Sequence, residues 1–144
     1  MVSGVHLRVF RFPADFAAVR HVWDGNEKGV RAGASDETAE IEKKLERDPE
    51  LFLVAGKDRE IIGQAIGGFD GLRGLISHLA VSAPLTGRGV RERLMDEVES
   101  RLRARGCRKC YLLVTPDYPD AMTYWSRRDW RPMDYVRLFG KELA

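Results

Sequence analysis

An apolar run is joined to a long charged helix by Thr86, Gly87, Arg88 and Gly89, and these residue types suit the binding of an anion. The start of a helix leaves backbone N–H groups unpaired at the positive end of the helix dipole. Gly87 and Gly89 permit positive φ angles and the close approach of a ligand, and Arg88 can add a charge-assisted hydrogen bond. The turn therefore predicts a phosphate site, although a G-x-G sequence also ends many loops that bind nothing.

A second candidate for chemistry is the C-x-x-C pair formed by Cys107 and Cys110. A redox pair needs a helix N-terminus to lower a thiol pKa, whereas this pair follows the helix end at Gly106 and leads into a strand. A closed zinc site needs four ligands. The three histidines are scattered without metal spacing, at His6, His21 and His78. We therefore predict two reduced thiols and no metal site.

The first half of the chain supplies a strand, two helices and a meander, as judged from hydrophobic periodicity. Alternation predicts a strand over residues 6–12, and Pro13 opens a helix that runs to about Trp23. A second helix is expected after an N-cap at Ser35 or Asp36. Three further segments are typical of antiparallel strands, starting at Leu51, Glu60 and Gly74.

The second half supplies the crossover behind the glycine turn. An apolar stripe that recurs every fourth residue predicts a helix carrying Val90, Leu94, Val98 and Leu102. A buried strand is expected from Cys110, a short helix within residues 118–130, and a final strand from Met133. The order β-α-α-β-β-β-α-β-α-β predicts an α/β domain with a mixed sheet, in which the helix after the turn connects two neighbouring strands.

Composition limits the class of protein. A chain of 144 residues is read as one domain, residues 1–144, and no apolar run approaches the roughly 20 residues of a membrane span. The 24 basic and 22 acidic residues nearly cancel and are interleaved, which disfavours a nucleic-acid or membrane partner. No P-loop and no secretory signal are visible, so we expect a soluble cytoplasmic protein with a small-molecule or protein partner.

Residues 78–114, HLAVSAPLTGRGVRERLMDEVESRLRARGCRKCYLLV, and residues 121–132, AMTYWSRRDWRP, resemble the acetyl-coenzyme A-binding segment of the GNAT N-acetyltransferase superfamily. Residues 51–74 are similar to a small bacterial branch of that family. The resemblance implies a pair of splayed central strands and acetyl-CoA as co-substrate. It assigns cofactor contacts to Leu79, Ala80, Val81, Thr86, Gly87, Arg88, Gly89, Val90, Arg91 and Trp125, with the strand holding the pantetheine arm and the turn amides the pyrophosphate.

Two positions depart from the family pattern. The last motif position is normally tiny, and here it is Arg91, which must act as a phosphate ligand, obstruct the site or point to solvent. The family tyrosine that donates a proton to the departing thiolate is replaced by Trp125, whose indole is too weak an acid. Tyr124 is adjacent but points about 100° away on a helix. The resemblance implies that Tyr118 stands near where an Asn of the family often contacts the cofactor, so it is a candidate to substitute as the donor from the other side.

An ammonium acceptor must lose a proton before it attacks a thioester, so a base or a water relay is expected. Where members of that family sometimes carry Glu or His, this chain has Leu75 and Ser77, and neither can act as a base. His78 lies nearby but has the opposite strand parity, so it is either the base or a packed histidine. Asp70 and Arg73 are candidates for contact with the acceptor, unless Asp70 only sets its turn.

Two functions follow from this reading. The first is an N-acyltransferase that moves acetyl directly from the thioester to an amine, with no covalent enzyme intermediate. The second is a degenerate domain of the same fold that binds CoA or a protein partner with little catalysis, which Arg91 and Trp125 favour. The sequence does not identify the amine, and the exposed edge strands of such a sheet favour a homodimer.

Overall fold

The computed structural model describes residues 4–25, 37–82, 89–114 and 119–143. Their elements, in chain order, are β1 His6–Val9, α1 Phe16–Asp24, α2 Thr38–Arg47, β2 Phe52–Lys57, β3 Glu60–Phe69, β4 Gly74–Val81, α3 Val90–Ala104, β5 Cys110–Leu112 and α4 Pro119–Ser126. No helix within these ranges has both the length and the apolar character needed to cross a bilayer.

The strands form one sheet in the order β1-β2-β3-β4-β5. The first four strands pair antiparallel, and β5 pairs parallel to β4. A parallel pair needs a crossover connection, which α3 supplies between β4 and β5. The predicted mixed sheet and the predicted helical crossover are therefore confirmed.

The turn between β2 and β3 shows why the sequence folds into a hairpin at this point. Lys57 pairs with Glu60, and the two residues between them, Asp58 and Arg59, have φ angles of 50° and 67°. Positive φ at both central residues is the geometry that matches the twist of two antiparallel strands. The predicted hairpin is confirmed.

Helices cover both faces of the sheet, which explains the continuous apolar run at the start of β2. Leu51 and Leu53 face α3, where all four residues of the predicted stripe are buried. Phe52 and Val54 face α1, where Trp23 is fully buried. The alternating side chains of β2 thus belong to two separate cores on opposite sides of the sheet.

The predicted final strand from Met133 is wrong in this structure. Residues 133–143 contain no strand, and Val136 N–H donates to Met133 O in a local turn. A strand requires a neighbouring strand for its backbone groups, and β5 contributes only the pairing of its three residues to β4. The first strand is also shorter than predicted, since β1 ends at Val9 and not at Phe12.

Candidate functional site

The central feature of the site is a wedge between β4 and β5. The two strands pair only at Gly74 with Cys110, Leu75 with Tyr111, and Ile76 with Leu112. One further bond follows, from Leu113 N–H to Ile76 O at 3.3 Å. Beyond that point β4 continues to Val81, and no described residue of β5 pairs with it. An extended ligand could therefore lie along β4 where β5 has diverged.

A β-bulge in β4 lies where the two strands diverge. Gln64 of β3 pairs with Ala80, whereas Ile66 pairs with Ser77, so the single residue between them on β3 faces two residues of β4. One of these is His78, which has a φ angle of +56°. A bulge bends its strand and increases the local twist, and the pairing of β4 with β5 ends directly before it.

The side chain of Gln64, on the neighbouring strand β3, holds the bulge in place. Sequence reasoning missed this role. The Gln64 side chain is fully buried, and its Nε2 donates to the carbonyl oxygen of His78. Its Oε1 is buried without a hydrogen-bond partner among the described residues, as is Nε1 of Trp23. Two such atoms can be satisfied by a water molecule or by a polar ligand. The available signal was a lone polar residue inside the apolar run of β3.

The bulge corrects the predicted parity of His78. Because one residue is added, His78 no longer follows the alternation of a regular strand, and it lines the same cleft as Leu75 and Ser77. Its Nδ1 lies 2.9 Å from Ser77 Oγ. Its ring centroid lies 5.0 Å from that of Trp23. Ser77 and Trp23 therefore both contact the imidazole ring of His78, and the residue is half-buried.

The turn predicted to bind an anion is described only at its end. Thr86, Gly87 and Arg88 lie outside the described residues, and the prediction for them stays a prediction. Gly89 has a φ angle of +87°, in the left-handed region where glycine is favoured, and α3 begins directly after it. Arg93 N–H closes the first helical turn on Gly89 O at 3.1 Å, so the amides that precede Arg93 in α3 have no intrahelical acceptor.

Arg91 does not point away from the protein. Its guanidinium lies 5.0 Å from the ring centroid of Tyr124. On the same ring, the guanidinium of Arg128 lies at 3.7 Å. Arg128 also reaches Glu92 at 3.7 Å. Arg91 is thus one member of a charged cluster that joins the start of α3 to α4.

The Tyr124 hydroxyl is buried in this cluster without a hydrogen-bond partner among the described residues, and so is Oε2 of Glu92. Burial is the main cause that raises the pKa of Tyr124 to about 12, and the nearby Glu92 carboxylate adds to it. The hydroxyl therefore stays protonated at neutral pH and can act as a proton donor.

Trp125 stands beside this cluster as a packing residue. Its ring meets Tyr124 edge to face at 4.8 Å and Trp130 edge to face at 6.2 Å. It also packs against the core beneath α3. Tyr118 lies outside the described residues, so its predicted role stays a prediction.

Asp70 sets its turn, which was the simpler of the two predicted roles. Its Oδ1 accepts hydrogen bonds from Leu72 N–H at 2.7 Å and from Arg73 N–H at 2.6 Å. The bond from the Arg73 amide, followed by that from Leu72, lowers the pKa of the Asp70 carboxyl. Asp70 and Arg73 both line the cleft, so a contact with an acceptor stays a prediction.

The cysteines are placed as packing residues. Cys107 is buried and Cys110 is half-buried, and both are free thiols. Burial, followed by the Glu99 carboxylate, raises the pKa of Cys110 to about 11, so the thiolate is scarce at neutral pH. The ranges that the structure describes hold no cluster of three or more residues suited to a metal ion.

Comparisons with known proteins define the class to which this fold and site belong. The family model of the acetyltransferase (GNAT) family matches residues 17–130. An acetyltransferase of Pectobacterium atrosepticum is 36% identical over 139 residues, which cover 96% of each chain. The chain therefore belongs to the GNAT acetyltransferase family.

Solved structures agree on the fold. A GNAT-family structure from Xanthomonas campestris pv. campestris has a TM-score of 0.71 at 16% identity and covers 99% of this chain and 96% of its own. The N-acetylglutamate synthase of Neisseria gonorrhoeae, complexed with coenzyme A and N-acetyl-glutamate, has a TM-score of 0.69 at 19% identity. The match covers 89% of this chain and 28% of the synthase.

Proposed function

We propose that this protein transfers an acetyl group from acetyl-CoA directly to an amine. The observation that carries the proposal is the wedge between β4 and β5 beyond Ile76, together with the positive φ angle of Gly89 directly before α3. Coenzyme A is present in the structurally similar synthase from Neisseria gonorrhoeae, which supports the same ligand here. When bound, acetyl-CoA supplies an activated thioester.

The residues at the wedge fit the two ends of such a ligand. The edge of β4 at Leu79 and Ala80, with Val81 closing the strand, can pair with the amides of a pantetheine arm. The backbone amides of Val90 and Arg91, with the turn before them, can hold the pyrophosphate at the positive end of the α3 dipole. Trp125, which packs beside Tyr124, lines the cleft that also contains His78.

Transfer requires one proton to leave the acceptor ammonium and one to reach the departing sulfur. His78 is our candidate to accept the first, because Ser77 and Trp23 orient its ring and it lines the cleft. Tyr124 is our candidate to donate the second, because its hydroxyl is buried and protonated. Direct transfer is favoured because neither buried Cys107 nor the high-pKa thiol of Cys110 is suited to act as a nucleophile.

The charged cluster favours a second candidate function. The guanidinium groups of Arg91 and Arg128 both lie over the ring of Tyr124, and Arg128 also reaches Glu92. Trp125 occupies the place of the family tyrosine. If that arrangement keeps the Tyr124 hydroxyl away from the thioester sulfur of acetyl-CoA, the domain binds CoA or a protein partner and transfers little acetyl. Asp70 and Arg73 then have no acceptor to contact.

The test is release of CoA from acetyl-CoA in the presence of small amines, lysine and peptide N-termini, with the acetylated product identified by mass. We expect Tyr124→Phe to lower kcat by roughly 100-fold, the scale of lost general acid catalysis, with the CoA dissociation constant unchanged. Because the pKa of Tyr124 is about 12, wild-type kcat should show no alkaline loss from this group up to about pH 10.

The matched comparison is His78→Gln, which removes the base and keeps a polar side chain. We expect it to lower kcat/KM with the CoA dissociation constant unchanged, because no ring nitrogen remains to accept the proton of the acceptor. A wild-type protein that binds CoA but releases none with any amine would favour the second candidate. Full activity in Tyr124→Phe would leave Tyr118 as the remaining donor.

A further inference from the structure

The outer face of β4 and β5, which lies opposite α3, carries apolar side chains that are partly exposed. Leu75 pairs with Tyr111 across the parallel ladder, and both residues line the cleft. Leu75 is 42% exposed, and Leu113, two residues beyond Tyr111, is 45% exposed. Ile76, on the opposite face of β4, is fully buried in the core that contains α3. The outer face therefore offers an apolar surface to a ligand in the cleft.

Two cations stand at one end of this outer face. Arg73 and Lys109 each directly precede a residue of the first pair between β4 and β5. Because side chains alternate along a strand, both belong to the face of Leu75 and Tyr111. The ammonium nitrogen of Lys109 lies 5.7 Å from the centroid of the Tyr111 ring, so its side chain is on this face. Both cations line the cleft.

The charges of Arg73 and Lys109 lack a full counter-charge. Among the residues that the structure describes, neither side chain forms an ion pair. The charge of Arg73 acts on the carboxylate of Asp70, but so does that of Arg47, whose Nη2 donates to Phe69 O at 2.9 Å. Like charges on neighbouring strands repel each other. A bound anion between Arg73 and Lys109 would relieve that repulsion.

Two other carboxylates that line the cleft already have cationic partners. Asp48 accepts a hydrogen bond from Lys44 at 2.7 Å and lies 3.7 Å from Arg47. Glu99 of α3 lies 3.6 Å from Arg103. These pairs leave the two cations on the outer face available to a ligand.

The outer face joins these cations to the reacting end of the cleft. At about 3.3 Å per residue, Arg73 lies roughly 13 Å from Ser77 along β4. Ser77 Oγ lies 2.9 Å from the ring of His78, our candidate base. The apolar pair of Leu75 with Tyr111 lies between the two ends. A ligand that spans this face therefore has a charged end, an apolar middle and a reacting end.

We propose that the acceptor is an amine that carries an anionic group, a carboxylate or a phosphate, at the far end of an apolar chain. Arg73 and Lys109 bind the anion. The chain lies over Leu75 and Tyr111, and the amine reaches His78. A guanidinium binds either anion through paired hydrogen bonds, and an ammonium adds a point charge. The inference rests on the proposed acetyl transfer and narrows its acceptor, because a polyamine would bring a further cation to this end.

The first experiment compares acceptors that differ only at the end away from the amine. We test 6-aminohexanoate against 6-aminohexanamide, and 6-aminohexyl phosphate against 6-aminohexanol, with homologues of four and eight carbons to adjust the span. We expect kcat/KM to be at least about tenfold higher for the anionic member, mainly through KM, the scale of a charge-assisted hydrogen bond. The pair with the larger ratio identifies the anion, and 1,6-diaminohexane should be the poorest acceptor.

The second experiment removes the cations one at a time. Arg73→Gln and Lys109→Gln should each raise KM for the preferred anionic amine at least about fivefold and reduce its advantage over the neutral partner. The matched control is Arg108→Gln, which removes the same charge from the exposed neighbour of Lys109 on the alternate side of the chain. This control should keep the preference. Thermal unfolding confirms that each variant is folded.

Equal kcat/KM for both members of every pair in the wild type would overturn the proposal, as would a preference that survives the double variant Arg73→Gln with Lys109→Gln. If no amine releases CoA, acetyl transfer itself fails, and the same pairs are titrated by calorimetry in the presence of CoA. Tighter binding of the anionic members would then support the anion site. Equal binding, or binding of neither member, would refute it.

Discussion

Arg91 shows how one side chain can change the start of a helix that we propose to bind an anion. At the first turn of α3 a guanidinium is opposed by the helix dipole, at a cost of roughly 0.3–1 kcal/mol. The stacking on Tyr124, at 5.0 Å, offsets that cost, since a cation over an aromatic ring gains about 0.5–1 kcal/mol at an exposed site. A phosphate contact is therefore not needed to explain the residue.

We accordingly predict that Arg91→Ala binds CoA more tightly, because bulk is removed from the place where the pyrophosphate would pack. Alanine also avoids the helix penalty of glycine. The control is Arg128→Ala, which removes the other guanidinium from the same ring and its 3.7 Å contact with Glu92 but changes no residue of α3. Isothermal titration over a salt series distinguishes the roles. Weaker binding with reduced salt dependence would instead make Arg91 a phosphate ligand.

The bulge in β4 belongs to the scale of the element, because it depends on Gln64 of the neighbouring strand. Replacing Gln64 with leucine removes a donor from the His78 carbonyl and also removes a buried oxygen that has no described partner. These two effects on the free energy of unfolding oppose each other. The substitution does, however, remove the hydrogen bond to the His78 carbonyl that supports the geometry of the wedge.

We expect Gln64→Leu to change the free energy of unfolding by less than about 1.5 kcal/mol while weakening CoA binding several-fold. Gln64→Glu should be far more destabilising, because it buries a charge that cannot donate to the carbonyl while ionised. Urea unfolding and CoA titration of both variants provide the measurement. Normal CoA binding by a stably folded Gln64→Leu would show that the wedge does not depend on this contact.

The buried carboxylate of Asp48 connects α2 to Arg105, the residue that follows α3. Lys44 Nζ of α2 donates to Asp48 Oδ2 at 2.7 Å, and Arg105 Nη1 donates to Oδ1 at 2.6 Å. Burial alone would raise the pKa of Asp48, but the hydrogen bonds from Lys44 and Arg105 outweigh burial, so the pKa lies below its ordinary value. The ionised form therefore stabilises the folded state.

We predict that Asp48→Asn lowers the free energy of unfolding by about 1–3 kcal/mol at pH 7, the scale of lost charge-assisted hydrogen bonds. A depressed carboxyl pKa contributes stability above the unfolded value near 3.9, and that contribution disappears as the pH falls through the folded value. The difference between wild type and variant should therefore shrink by pH 3. Glu46→Gln, on the exposed side of α2, is the control. An equal difference at pH 7 and pH 3 would refute this role.

At the scale of the whole molecule, periodicity predicted most of the elements. The stripe from Val90 to Leu102 predicted α3 and its buried face, and the short turns predicted the meander of β2, β3 and β4. These features depend on residues that are close in sequence, so the amino-acid sequence alone was sufficient to predict them.

Features that depend on pairing between distant residues were not predicted. The bulge at His78 depends on the register between β3 and β4, so the parity of that residue was misread. The pattern from Met133 is that of a strand, but in this structure it has no neighbour to pair with. Gln64 was missed because its role lies in a bond to the backbone of another strand.

The central claim is that the start of α3 and the wedge beside it bind coenzyme A. Gly89 has a φ angle of +87°, so valine there is strained and also places bulk where the ligand would approach. Gly71 has a φ angle of +97° with no neighbouring atom within 4 Å of an added Cβ, and Gly71→Val is the matched control for backbone strain.

The decisive measurement is isothermal titration of coenzyme A into wild type, Gly89→Val and Gly71→Val, with thermal unfolding of each to confirm folding. We predict binding by the wild type and by Gly71→Val, with a dissociation constant for Gly89→Val at least roughly tenfold higher, which corresponds to about 1.4 kcal/mol. No binding by the wild type at millimolar coenzyme A, or equal binding by Gly89→Val, would contradict the account.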